Sequence, residues 1–78
     1  MSDQNKPIRL TRRQAQVIDL LCQGHTPHEI AETVGIAKRT VDFHLRETYS
    51  ALGVNHRVKA ILAYQKLQAE ESAKRRNR

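Results

Sequence analysis

The 78-residue chain has no tryptophan, one phenylalanine, two tyrosines, one cysteine, two prolines and three glycines. So few large rings leave it short of the anchors of a sandwich or barrel, and 38% hydrophobic residues suits a compact helical domain instead. The lone Cys22 cannot form an internal disulfide, which excludes a disulfide-stapled secreted scaffold and fits a reducing cytoplasm. No apolar run approaches the roughly 20 residues that span a bilayer, and "MSDQNKPIR" lacks the apolar core of a signal peptide. The chain is therefore expected to be soluble, cytoplasmic and without a membrane partner. Acids are also scarce, eight against fourteen Lys and Arg, and the net charge of +6 favours polyanionic partners such as nucleic acid. A chain this short buries only about 60% of its unfolded surface, so its stability is marginal and dimerisation would raise it. No two side chains are placed as nucleophile and base, so the chain is read as no enzyme and as needing no cofactor.

Four helices carry their own punctuation. Thr11 with Gln14 forms a capping box ahead of Val17, Ile18, Leu20 and Leu21, which predicts a first helix from about Arg12 to Gln23. Thr26, Pro27 and Glu29 open a second helix, roughly Pro27 to Thr33, and Gly35 is free to take the positive φ that ends it. Val41, Leu45, Thr48 and Leu52 mark the buried stripe of a third helix ended by Gly53. Asn55 offers an N-cap to a fourth, whose inner stripe is Ala60, Ile61, Tyr64 and Leu67. The "AEESAKRRNR" tail loses the apolar period and is expected to fray or stay disordered.

One stretch, "CQGHTPH", sets Cys22, His25 and His28 at intervals of three, as zinc ligands can be set. A structural zinc site normally has a paired ligand spacing that this chain lacks, and zinc would need a fourth ligand such as His44 or a water. Gly24 stopping one helix and Thr26 with Pro27 starting the next explains the stretch without a metal, and no metal is expected.

Two short helices around a tight glycine turn, the second longer and basic at its start, constitute a helix-turn-helix. Gly24 with "EIA" at Glu29 to Ala31, "TV" at Thr40 and Val41, His44, "LGV" at Leu52 to Val54, and Arg57 with Ala60 resemble the LuxR-type (GerE-type) DNA-binding domain. The resemblance runs from about Leu10 to Leu67, and "TVDFHL" looks most like its quorum-sensing branch. It implies an all-α, four-helix domain, here a small stand-alone member without the autoinducer-binding or receiver domain that usually precedes it. The expected organisation is an N-terminal arm over 1–9, the helix-turn-helix domain over 10–68, and the basic tail over 69–78.

By the same resemblance the third helix enters the major groove of double-stranded DNA, with Asp42, Phe43 and Arg46 at base edges and Lys38, Arg39 and Thr40 on phosphates. Thr26 and the free amides at the start of the second helix could hold another phosphate. Several positions depart from the family: Gln14 stands for a glutamate, Ala37 for a capping serine, Thr48 at an apolar site, and Ser50 and Ala51 for basic residues. Asp42 sits where a basic or amide residue is common, one turn before Arg46, with which it can pair. His44, a lone histidine beside an apolar stripe, is expected to be a packed, hydrogen-bonded core residue. Phe43 is expected at the surface, against a thymine methyl or a neighbouring helix.

Val58, Leu62 and Ala69 lie off the inner stripe of the fourth helix, an apolar strip suited to a partner. The resemblance points the same way, to a homodimer through this helix. The reading is thus a bacterial-type, cytoplasmic transcriptional regulator that binds an inverted-repeat site as a homodimer. Its first rival uses the fold to bind another transcription regulator or RNA polymerase, which Asp42 and Glu47 favour. The fourth region of a sigma factor is a second rival, and "LGVNHRVKAILA" argues against it.

Overall fold

The computed structural model describes residues 8–76, and side-chain surroundings through residue 73. Most of the expected arm, 1–7, and the last two tail residues, 77–78, lie outside the described residues. Four helices follow in order: α1 Arg12–Cys22, α2 Pro27–Val34, α3 Lys38–Leu52 and α4 Arg57–Arg76. No strand occurs among the described residues, and no helix there is long and apolar enough to cross a membrane.

The caps explain why these segments start where they do. Thr11 Oγ1 accepts from the Gln14 N–H at 3.1 Å while Gln14 Oε1 accepts from the Thr11 N–H at 3.0 Å. Thr26 and Glu29 repeat this reciprocal pair at 3.1 and 2.9 Å, with Pro27 at the first helical position, where a missing N–H costs nothing. Ala37 precedes α3 without any side-chain cap. The first bond of α4 runs from the Ala60 N–H to the His56 carbonyl at 3.0 Å, so His56 holds the cap position. Asn55, expected there, lies one residue outside.

Three helices end by one device. The residue after each glycine donates to the carbonyl five back: His25 to Leu20, Ile36 to Ala31 and Val54 to Tyr49, at 3.2, 3.1 and 3.0 Å. At Gly35 this needs a φ of 83°, and nothing lies within 4 Å of where a Cβ would be, so a larger residue there meets backbone strain alone.

Val17, Ile18 and Leu21 of α1, Ile30 and Ala31 of α2, Val41, Leu45 and Leu52 of α3, and Ala60 and Tyr64 of α4 form one core. Each large aliphatic among them contributes about 1.5–3 kcal/mol by leaving water. The third helix is the hub, packing on all three others. Thr48, fully buried at an apolar position, donates its hydroxyl to the His44 carbonyl at 2.7 Å and so is satisfied within its own helix. His44 itself differs from expectation. It is half-buried, and its ring and that of Phe43 meet edge to face at 5.7 Å between centroids.

The tail also differs from the expectation of disorder, since α4 continues to Arg76 although its apolar stripe ends at Leu67. Residues 68–76, "QAEESAKRR", are mostly Ala, Glu, Gln, Lys and Arg, whose helix propensity extends a helix already nucleated on the core.

Candidate nucleic-acid interface

Opposite the buried stripe, α3 turns an outward face to solvent. Arg39, Phe43, Arg46 and Ser50 follow one another on it at spacings of four, three and four, and all are exposed. Phe43 keeps 53% of its surface open, as its off-stripe position predicts. Lys38 is exposed and Thr40 half-buried at the start of the same helix.

Asp42 pairs with Lys38, Oδ2 to Nζ at 3.0 Å, and not with Arg46 as the sequence spacing allowed. Both partners are one turn away. Helical side chains lean toward the N-terminus, so the short Asp42 chain tips toward residue 38, and the long Lys38 chain reaches forward to meet it. Such an exposed pair contributes only a few tenths of a kcal/mol, yet it occupies one of the cations assigned to phosphate.

At the start of α2 the capping box has already used what the sequence left open. The Thr26 N–H serves Glu29, the Glu29 N–H serves Thr26, and Pro27 has none. Among the described residues of that first turn, the His28 N–H and the Thr26 hydroxyl hydrogen are what can still face an anion. The histidines of "CQGHTPH" each sit beside a glutamate one turn on: His25 Nδ1 is 3.7 Å from Glu29 Oε1, and His28 Nε2 is 3.6 Å from Glu32 Oε2. Cys22 is half-buried, and burial, followed by the nearby Asp19 carboxylate, pushes its thiol pKa up. Among the described residues no group of three His, Cys, Asp or Glu could hold a metal ion.

Two residues that sequence reasoning did not assign join this surface. Tyr49 of α3 and Arg57 of α4 line an open groove of about 360 Å³ together with Pro27, Asp42, Leu45 and Arg46. Eight positions and a turn separate them in sequence, so no helical period links them, and the crossing of α4 over α3 alone brings them together. On α4, Val58 and Leu62 are 59% and 60% exposed and Ala69 is exposed as well.

The likenesses to known proteins follow the same helices. The family model for bacterial regulatory proteins of the luxR family matches residues 9–64. The HTH-type transcriptional regulators MalT of Yersinia pestis (strain Pestoides F) and of Yersinia pseudotuberculosis serotype O:1b (strain IP 31758) are each 38% identical over 58 residues, which is 74% of this chain. The chain spans about 6% of the length of those curated relatives. Among solved structures, the transcription factor GerE superposes with a TM-score of 0.71 at 32% identity, covering 76% of this chain and 88% of its own. The response regulator ChrA, from a heme-sensing two-component system, gives 0.70 at 36% identity over 86% of this chain and 35% of its own. Matched along most of its length by the family model, with the helices and turns of GerE, the chain belongs to the LuxR family of bacterial regulatory proteins, and its four helices are that family's helix-turn-helix domain.

Proposed function

We propose that this chain is a transcription regulator of a bacterial cytoplasm that binds an inverted-repeat duplex as a homodimer, with α3 in the major groove. The observation that carries this reading is the outward face of α3, where Arg39, Phe43 and Arg46 stand opposite the buried stripe, immediately after the glycine turn. On this reading Arg46 and Phe43 meet base edges, Arg46 as a donor to guanine and Phe43 against a thymine methyl. Asp42 is the third base-facing residue and accepts from an amino group of cytosine or adenine where one faces it. Lys38, Arg39 and Thr40 hold phosphates, and Thr26 adds its hydroxyl at the start of α2. Relatives named as transcriptional regulators and a transcription factor support the assignment.

The apolar strip of Val58, Leu62 and Ala69 is the surface on which a second copy would pack. Anisotropy titrations against duplexes selected from a random pool test the reading. Enrichment of a two-fold symmetric site, bound by two chains, is the expected result. In the same assay Leu62→Asp, which would place an unpaired charge in that contact, leaves helicity intact and yields monomers by sedimentation.

A second reading, in which the same face binds another regulator or RNA polymerase, is favoured by one observation. Asp42 occupies Lys38, and Glu47 adds an exposed acid to the face. No enrichment of any sequence at low salt would leave that reading in place of the first.

A further inference from the structure

We propose that Arg57 and Tyr49 form, with Arg46 as the opposite wall, a seat for one backbone phosphate of the bound duplex, so that α4 grips DNA as well as serving dimerisation. This rests on the duplex-binding reading above and adds residues which that reading does not contain. The groove between α3 and α4 has a volume of about 360 Å³ and is floored by the buried Leu45 and the half-buried Tyr49. Two exposed guanidiniums, of Arg46 and Arg57, line it from different helices. Its single acid, Asp42, is held at 3.0 Å by Lys38, so much of its charge is answered outside the groove.

Two like charges converging on one depression repel each other in the free protein, and an anion between them relieves that cost. A guanidinium presents a planar fork that matches two phosphate oxygens, and a tyrosine hydroxyl can donate to a third. Tyr49 and Arg57 line the same groove, and the Tyr49 phenol pKa is raised first by burial, with the Arg57 guanidinium acting against that rise. Location completes the case. Pro27 of α2 also lines the groove, which therefore adjoins the helix start where the Thr26 hydroxyl and the His28 N–H remain open.

The test is a salt titration of the wild-type chain and of Arg57→Ala on a fluorescent duplex carrying the selected site. Removing one phosphate contact lowers the slope of log affinity against log salt by about 0.9. It should also weaken all sequences by a similar factor, about tenfold at low salt, as loss of a charged hydrogen bond does. Arg57→Lys keeps the slope, and Tyr49→Phe gives a smaller, equally uniform loss. Because Arg57 is exposed, its variants should keep the wild-type circular dichroism and the wild-type sedimentation. A wild type that binds while Arg57→Ala keeps its slope and affinity overturns the proposal, as does a loss confined to one base pair or a variant that merely dissociates. A wild type that binds no duplex removes the reading beneath it first, so the two failures are distinct. Nuclear magnetic resonance of the Arg57 side chain separates a backbone site from a free-anion site. The duplex should shift it and inorganic phosphate at matched ionic strength should not, and equal shifts from both would refute a DNA seat.

Discussion

Helices α2 and α3 are neighbours in the chain and in the core, yet they begin in opposite ways. The first turn of α2 is closed on itself, with two reciprocal hydrogen bonds between Thr26 and Glu29, a proline that lacks the orphan N–H, and an acid at the positive end of the helix dipole. Helix α3 starts from Ala37, which caps nothing, and puts Lys38 and Arg39 where the dipole is already positive, with no acid in its first turn. The difference shows where the molecule takes stability and where it forgoes it. An uncapped, cationic helix start is a cost of about 0.3–1 kcal/mol per charge in the free protein, and on the duplex-binding proposal a phosphate placed there would reverse its sign.

That contrast can be broken most strongly by removing the cations. Lys38→Ala combined with Arg39→Ala should lower the salt slope of duplex binding by about 1.8, twice the roughly 0.9 expected per phosphate, and cut affinity more than tenfold at low salt. The melting temperature should rise by a few degrees, since the cost of the cations goes with them and the Lys38–Asp42 pair offsets only part of it, and anisotropy with calorimetry reads both. Making α3 begin as α2 does is the next largest change. Ala37→Asp supplies a cap and an acid, so stability in urea should rise by about 1 kcal/mol while affinity for every duplex falls several-fold. A stabilised variant that bound as tightly as the wild type would show that no phosphate approaches this turn.

The converse change, Thr26→Ala, opens the box on α2 and should cost about 1 kcal/mol in urea unfolding. Its effect on binding should be smaller than that of the α3 cations. The smallest effect belongs to Asp42→Ala. Releasing Lys38 removes a pair worth about 0.2–0.5 kcal/mol of stability and should raise affinity for all sequences alike, with a steeper salt slope. Binding across every single-base variant of the selected site checks it, and a loss at one position alone would make Asp42 a reader of that base.

The sequence made legible whatever depends on neighbours in the chain. Both capping boxes, the glycine stops and the stripe from Val41 to Leu52 are local patterns, and the helices start and end within a residue or two of them. The end of α4 leaves no such trace, because the apolar period reports what a helix packs against, whereas residues 68–76 extend it by propensity alone. His44 neighbours the stripe, which suggests a core position, but it lies at the stripe's flank and the fold leaves it half-covered. Asp42 is expected to pair with Arg46, but Lys38 lies one turn the other way, and the lean of helical side chains takes the carboxylate there. The groove of Arg46, Tyr49 and Arg57 had no local trace, because it exists only once α4 has crossed α3.

The connections between the helices are residues 23–26, 35–37 and 53–56, only four, three and four residues long. Each therefore closes with little loss of chain entropy, and neighbouring helices meet almost as soon as they form. The farthest excursion is the one that brings α4 back to α1, and the packing of α1 and α2 on α3 precedes it in sequence. A topology of such low contact order acquires its structure in microseconds to milliseconds, with single-exponential kinetics. The glycine turns that stop the helices in the finished domain thus also keep the searches between neighbours short while it forms, and a polypeptide emerging from the ribosome can hold α3 in place almost as soon as α4 is free to fold.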